Sequence, residues 1–180
     1  MIFYKADMIE KPSTYSYRVA ENVWAGEYPV WAWDRGERMA QLKLYTDFGI
    51  TDFLDLTQYG EMPPYEEFLP ANCHRSTFPI ANGMSPTSVE SVVGLFQELS
   101  ALFSASPDRR LYIHCHGGVG RTGTIVACWY IWSEHLSFDE ALAKMRNGFA
   151  HHGRSAWMSA PETEAQLDFI RKFAAGCKED

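Results

Sequence analysis

HCHGGVGRTG, His114 to Gly123, follows directly on the apolar run Leu111–Ile113 and leads into a second one, Ile125–Trp132. Cys115 and Arg121 bracket five residues of which three are glycine. The pattern predicts a short buried strand, a tightly curled loop and a helix that starts near Arg121. Gly117, Gly118 and Gly120 permit the backbone angles by which successive amides, from His116 through Val119 to Arg121, converge on a single anion. The positive end of the following helix adds to the same focus. Such a field favours thiolate over thiol, so Cys115 is expected to be a nucleophile at neutral pH. Arg121 offers a planar fork that matches two oxygens of a phosphoryl group. Thr122 is expected to donate its hydroxyl to the sulfur as it departs, and His114 to order the loop from beneath. The implied chemistry is hydrolysis of a phosphate ester, with no cofactor.

Outward from the loop, strands and helices alternate. Ser16–Gly26 reads as a strand, Arg35–Gly49 as an amphipathic helix, Ile50–Thr57 as a buried strand and Cys73–Ile80 as another. Pro86 and Thr87 open a helix with Val89, Val92, Val93, Leu95, Phe96, Leu99 and Leu102 at helical spacing. Beyond the loop, helices are predicted at Arg121–His135, Phe138–Asn147 and Glu162–Phe173. The expected fold is α/β, a single domain with a central, mostly parallel sheet flanked by helices on both faces. In such sheets ligands bind beyond the carboxyl ends of the strands, where Cys115 falls.

Composition fits one domain over residues 1–180 with a core from about 17 to 173, because 180 residues at 46% hydrophobic content bury one core and leave little for a second. Sixteen Lys and Arg against 23 Asp and Glu give a net charge of −7, which argues against nucleic acid or an anionic membrane as a partner. A phosphorylated protein or a small phosphomonoester remains compatible, since a positive site can be local. Cys73, Cys115, Cys128 and Cys177 show neither a disulfide framework nor metal-ligand spacing, so no metal is expected. Lys5, Asp7 and Glu10 interrupt any secretory leader, and no apolar run approaches the roughly 20 residues of a membrane span. A reducing cytoplasm is the expected setting.

The stretch around Cys115 resembles the signature of the cysteine-dependent protein tyrosine phosphatase superfamily, His, Cys, five residues, Arg, then Thr or Ser, and matches it at every defining position. The runs VWAGEYP at Val23–Pro29, DLT at Asp55–Thr57 and PETEAQLDFI at Pro161–Ile170 look like pieces of small dual-specificity-type members. The resemblance implies a phosphocysteine intermediate on Cys115 and hydrolysis of phosphotyrosine or other aryl phosphates, with phosphoserine and phosphothreonine further options. It also exposes two departures. The family places a general-acid Asp where FPIANGMSP has Asn82, and an amide cannot protonate a leaving alkoxide. Loss of a positioned acid costs about 10²- to 10⁴-fold, most for alkoxides and less for phenols, which tilts the expected substrates toward aryl phosphates. Glu61, after the DLT strand, is the first candidate for a substitute acid; Glu66 and Glu67 read as solvated residues. In PETEAQ, where the family's glutamine-bearing loop orders the hydrolytic water, Glu162 replaces the first glutamine and Gln166 retains the second. Glu162 has two readings, a base that activates water or an ordinary acidic residue of a first helical turn.

Other residues have plainer readings. Cys128 is a core thiol, and Cys73 is a buried strand cysteine rather than a redox partner of Cys115. His151, His152 and Arg154 read as a polar loop between helices before a second phosphate-binding element. The aromatic stretch Glu27–Trp33 reads as surface packing rather than a ligand cage. HGGVG contains no lysine, unlike the loops of family members that dephosphorylate inositol lipids, so the resemblance implies a phosphoprotein rather than a phosphoinositide. With Asn82 in the acid position, a low-activity or inactive module that binds phosphorylated partners is the alternative.

Overall fold

The computed structural model describes residues 11–177. The stretch with Lys5, Asp7 and Glu10 that argues against a leader lies outside the described residues. Strands β1 (Ser16–Ala20), β2 (Val23–Gly26), β3 (Asp52–Asp55), β4 (His74–Thr77) and β5 (Leu111–His114) form one sheet in the spatial order β1-β2-β5-β3-β4. The β1–β2 pair is antiparallel, and β2, β5, β3 and β4 run parallel. The segment expected to be one strand from Ser16 to Gly26 is therefore a hairpin. Its chain reverses at Glu21 and Asn22, where the Asn22 side chain donates to Pro107 O (3.0 Å) and its carbonyl accepts from Leu111 N (2.9 Å). A turn former inside an apolar run breaks it when its polar groups find partners outside the strand.

Helices α1 (Arg35–Asp47), α2 (Val89–Ala105), α3 (Gly120–Glu134), α4 (Phe138–Phe149) and α5 (Glu164–Gly176) cover both faces, as expected. Alternation along the strands divides the core. Trp24, Phe53 and Tyr112 pack with Leu42 and Tyr45 of α1 on one face. Ala25, Leu54, Leu111 and Ile113 pack on the other against α2, α3, α4 and α5. Helix α3, apolar around its whole circumference, is buried from Gly120 to Ile131 by the three helices around it. The termini follow local chemistry: Asp34 caps α1, Ser88 caps α2, and Ser137 and Thr163 form capping boxes on α4 and α5.

Strand β5 is flanked by β2 and β3, and the connections on its two sides lead to opposite faces: α1 joins β2 to β3, and α2 joins β4 to β5. That arrangement opens a crevice beyond the carboxyl end of β5, where the glycine loop begins. Cys73 sits at the other end of the sheet, just before β4, with its thiol near Ile50 O (3.5 Å). The strand register places it level with Arg110, five residues short of Cys115, roughly 16 Å at strand rise, too far for a disulfide.

Candidate active site

Strand β5 delivers His114 and Cys115, and α3 begins five residues past Cys115, at Gly120. The loop between them is held from outside. Its His116 carbonyl accepts from Tyr28 N (3.0 Å) and its Gly117 carbonyl from Arg154 Nη1 (2.9 Å). Across a trans peptide the carbonyl and the next N–H point oppositely, so the Gly117 and Gly118 amides face away from these anchors. Gly118 takes φ +73° and lies against β2, where an added Cβ would come within 2.3 Å of Gly26 C. Only glycine fits that approach. The first-turn amides of α3 lack intrahelical acceptors and add to the same concentration of donors.

Beneath the loop, the fully buried His114 receives or gives a hydrogen bond at Tyr65 Oη (2.7 Å) and lies against the rings of Tyr28 and Tyr112. Burial holds its imidazole neutral, with a pKa lowered to about 4, and burial does the same to His152. The unfolded chain, with an ordinary histidine near 6.5, then binds protons more readily than the folded one between pH 6.5 and 4. Stability is expected to be flat with respect to these residues above that window. It should fall as pH drops through the window, by about 3 kcal/mol for His114 alone. Denaturant midpoints measured from pH 7 to pH 4 check this, and a constant midpoint would contradict neutral burial.

Cys115 is 3% exposed and is reached through a cavity of about 250 Å³. The loop, Arg121, Asn82, Glu162, Trp31, Met158 and Arg154 line it. The structure thus brings Cys115, Arg121, Asn82 and Glu162 together as the sequence suggests. It also adds Trp31, Met158 and Arg154. Gln41 Oε1 accepts from the Trp31 main-chain N–H (2.7 Å), and the Trp31 indole lies against the His116 ring with centroids 4.8 Å apart. The sequence places Arg154 in a polar loop; in the structure its guanidinium lies over Tyr15 and Trp31, bonds Gly117 O and pairs with Glu27 (3.1 Å). The HHGR run was the available signal; its contact across 37 residues was not. Burial raises the Glu27 carboxyl to about 7, against the opposing pull of Arg154.

Three expected roles take a different form. Glu61 is not placed as a proton donor. Its Oε2 and Oε1 accept from Arg121 Nη1 (2.7 Å) and Nη2 (2.6 Å), and these bonds hold its carboxyl below the usual range, as an ionised group. Arg121 Nη1 also donates to Ile80 O (3.0 Å). Three of the five guanidinium hydrogens are thereby used, which leaves Nε–H and one Nη2–H as a side-on pair, with the Cys115 sulfur among the groups acting on the guanidinium. Glu61 orients the arginine that the phosphoryl group would meet. Thr122 is buried, but its hydroxyl has no hydrogen-bond partner among the described residues, so the expected bond to Cys115 is not formed. Glu162 is not in the first turn of α5: the helix starts at Glu164, Thr163 is its cap, and Glu162 precedes both.

Asn82 stands in a turn closed by Met84 N to Ala81 O (3.0 Å), with Gly83 at φ +74°. Thr163 Oγ1 donates to Gly83 O (3.1 Å) and Gln166 Nε2 to Met84 O (3.2 Å), so the start of α5 braces the turn. The Gln166 carboxamide oxygen accepts from the Glu162 and Thr163 amides. Gln166 therefore joins two cavity loops. Because Asn82 already faces the cavity on this braced turn, Asn82→Asp is expected to raise turnover of alkyl phosphates by about 10- to 100-fold and of activated aryl phosphates less. Steady-state rates on the two leaving groups check this, and an unchanged alkyl rate would place the proton donor elsewhere.

The family model described as "Swiss Army Knife protein, DSP-PTPase phosphatase domain" matches residues 22–175. The chain is similar to the putative tyrosine phosphatase 067L of Invertebrate iridescent virus 3, 28% identical over 88% of this chain and 64% of the viral one. It is also similar to the putative tyrosine phosphatase 197R of Invertebrate iridescent virus 6, 28% identical over 72% of this chain and 45% of the viral one. The chain thus spans less than two thirds of either relative. Among solved structures, Tk-PTP in its active form superposes with a TM-score of 0.72 at 20% identity, covering 89% of this chain and 97% of that one. At that identity the likeness concerns the fold.

Proposed function

The chain belongs to the DSP-PTPase phosphatase domain family, and from that premise we propose that it hydrolyses phosphomonoesters, aryl phosphates such as phosphotyrosine foremost, through a phosphocysteine on Cys115. The observation that carries the reading is a buried thiol at the floor of a cavity whose walls supply oriented backbone amides, a helix N-terminus and Arg121. Cys115 attacks phosphorus, the ester oxygen leaves, and water then releases phosphate and regenerates the thiolate. The loop amides and the side-on donors of Arg121 stabilise charge on the equatorial oxygens. The reaction as written uses no metal, and a reducing compartment such as the cytoplasm suits it.

Asn82 supports the preference for aryl esters, because a phenolate departs without full protonation. The Trp31 indole beside His116 offers an aromatic ring a wall to lie against. The absence of lysine from HGGVG favours a phosphoprotein over a phosphoinositide. Incubation with an aryl phosphate in the presence of a chelator tests the reading: it should release the phenol, and acid quenching should trap one phosphate per chain on Cys115. A wild type that binds phosphotyrosine peptide without any turnover would instead make the domain a recognition module.

A further inference from the structure

We propose that Glu27 is a positioning residue that gives the cavity its preference for aromatic esters, by holding Trp31 and Arg154 in the wall that the ring of such an ester would meet. The inference rests on the phosphatase reading above and adds to it the group that selects the substrate. Glu27 follows directly on β2 and is 8% exposed. Its side chain reaches the two wall residues from behind. Its Oε2 pairs with Arg154 Nη2 (3.1 Å), and the carboxylate accepts from the Trp31 indole N–H. Both partners line the cavity over Cys115.

Trp31 needs this hold because it is a partition. It lines the cavity over Cys115 on one side and, with Tyr15, Gln41 and Tyr45, a second cavity of about 550 Å³ on the other. An indole with space on both sides, 37% exposed, is not fixed by close packing. The Gln41 bond fixes its main chain only. The ring itself meets His116, the Arg154 guanidinium at 5.8 Å and the Glu27 carboxylate. Glu27 is in turn anchored in the sheet: its amide donates to Tyr15 O (3.0 Å), and its carbonyl accepts from Tyr112 Oη (2.9 Å). Arg154 carries the same hold to the loop through Gly117 O.

The carboxylate is unfavourable where it stands, since burial raises it to about 7 against the pull of Arg154 and Trp31. The charge that holds the wall is therefore half lost near pH 7 and lost below it. The phenols that face it from α1 and β5, Tyr45 and Tyr112, are pushed by burial above their ordinary range and stay neutral there. Arginine keeps its proton throughout. From the segment before β1, Tyr15 lies under Arg154, and Lys11 lines the second cavity with its ammonium on the Thr14 and His151 carbonyls.

Steady-state kinetics on para-nitrophenyl phosphate and acetyl phosphate test the role. Both leaving groups depart without an acid, and only the first brings a ring. Glu27→Gln keeps the size of the side chain and removes its charge. At pH 8 it should raise KM for the nitrophenyl ester about 3- to 10-fold with kcat little changed, and KM for acetyl phosphate much less. This advantage of the wild type should disappear as pH falls from 8 to 6, because a protonated Glu27 resembles the amide. In a Trp31→Ala chain, where no indole remains to hold, adding Glu27→Gln should change the discrimination no further. Should Glu27→Gln fail to fold, the wild type and Trp31→Ala decide the matter: discrimination between the esters must fall with pH only in the chain that has the indole. Equal KM shifts on the two esters, no shift, or a pH-independent advantage would overturn the role of Glu27 alone. A wild type that hydrolyses neither ester overturns the phosphatase reading itself.

Discussion

Cys115→Ser is expected to lower aryl phosphate turnover by on the order of 10⁴-fold or more while leaving phosphate affinity within a few-fold, by analogy with the loss when other covalent nucleophiles are removed. The oxygen occupies less space than the sulfur, so the buried site and its loop keep their shape. What changes is the nucleophile. A serine hydroxyl stays protonated at neutral pH, whereas a thiolate is the attacking species. No base among the cavity residues is aligned on Cys115 to activate a hydroxyl: the Thr122 hydroxyl makes no bond, and Glu61 is bound to Arg121. The cradle of amides is backbone and survives the change. Binding of inorganic phosphate by calorimetry, with steady-state rates, separates the effects; a variant retaining more than about a hundredth of the rate would remove Cys115 from the chemistry.

Arg121→Lys is expected to lose about 10³-fold in kcat/KM, and Arg121→Ala more, because the guanidinium serves two partners at once. One side grips Glu61 through two bonds, and the other leaves Nε–H and Nη2–H for a phosphoryl group. A lysine ammonium keeps the charge but cannot hold a carboxylate end-on and a phosphate side-on together. Arg121 is 2% exposed, so its removal also strands the Glu61 carboxylate against the anion site. Breaking such a pair costs about 3 kcal/mol of stability and adds repulsion to incoming phosphate. Glu61→Ala placed in the Arg121→Ala background should therefore recover part of both losses. Unfolding midpoints and phosphate affinity across the four chains of this cycle check it. Additive effects of the two substitutions would show that Glu61 and Arg121 act independently.

Much of this was legible along the chain. HCHGGVGRTG encodes its own conformation, since glycine placement, the apolar strand before it and the apolar helix after it are neighbours in sequence. The same holds for the capped starts of α1, α2 and α4, whose signals lie within four residues of the termini they define. Asn82 reads along the chain as a polar residue of the site, and the structure places it on the cavity wall. Legibility ended where a side chain had to choose a distant partner. Glu61 as a carboxylate near an active site suggested an acid; the contact that makes it an orienting group spans 60 residues. Arg154 gave only a polar run, and its bond to the loop crosses from the segment between α4 and α5. The hairpin at Glu21 and Asn22 hid inside an apolar stretch because its turn is stabilised by Pro107 and Leu111.

The order of residues by itself determined a glycine loop between a central strand and a buried helix, with a thiol at its start and a guanidinium at its end. It did so because backbone conformation and helix capping are settled by contacts between residues a few positions apart. Only the tertiary structure decided that Glu61 holds Arg121 as an ionised partner, and that Arg154 and Trp31 wall the cavity with Glu27 behind them. Those outcomes depend on which loops the packed sheet and helices bring to one crevice. There, burial and pairing, rather than residue type, set what each charged group can do.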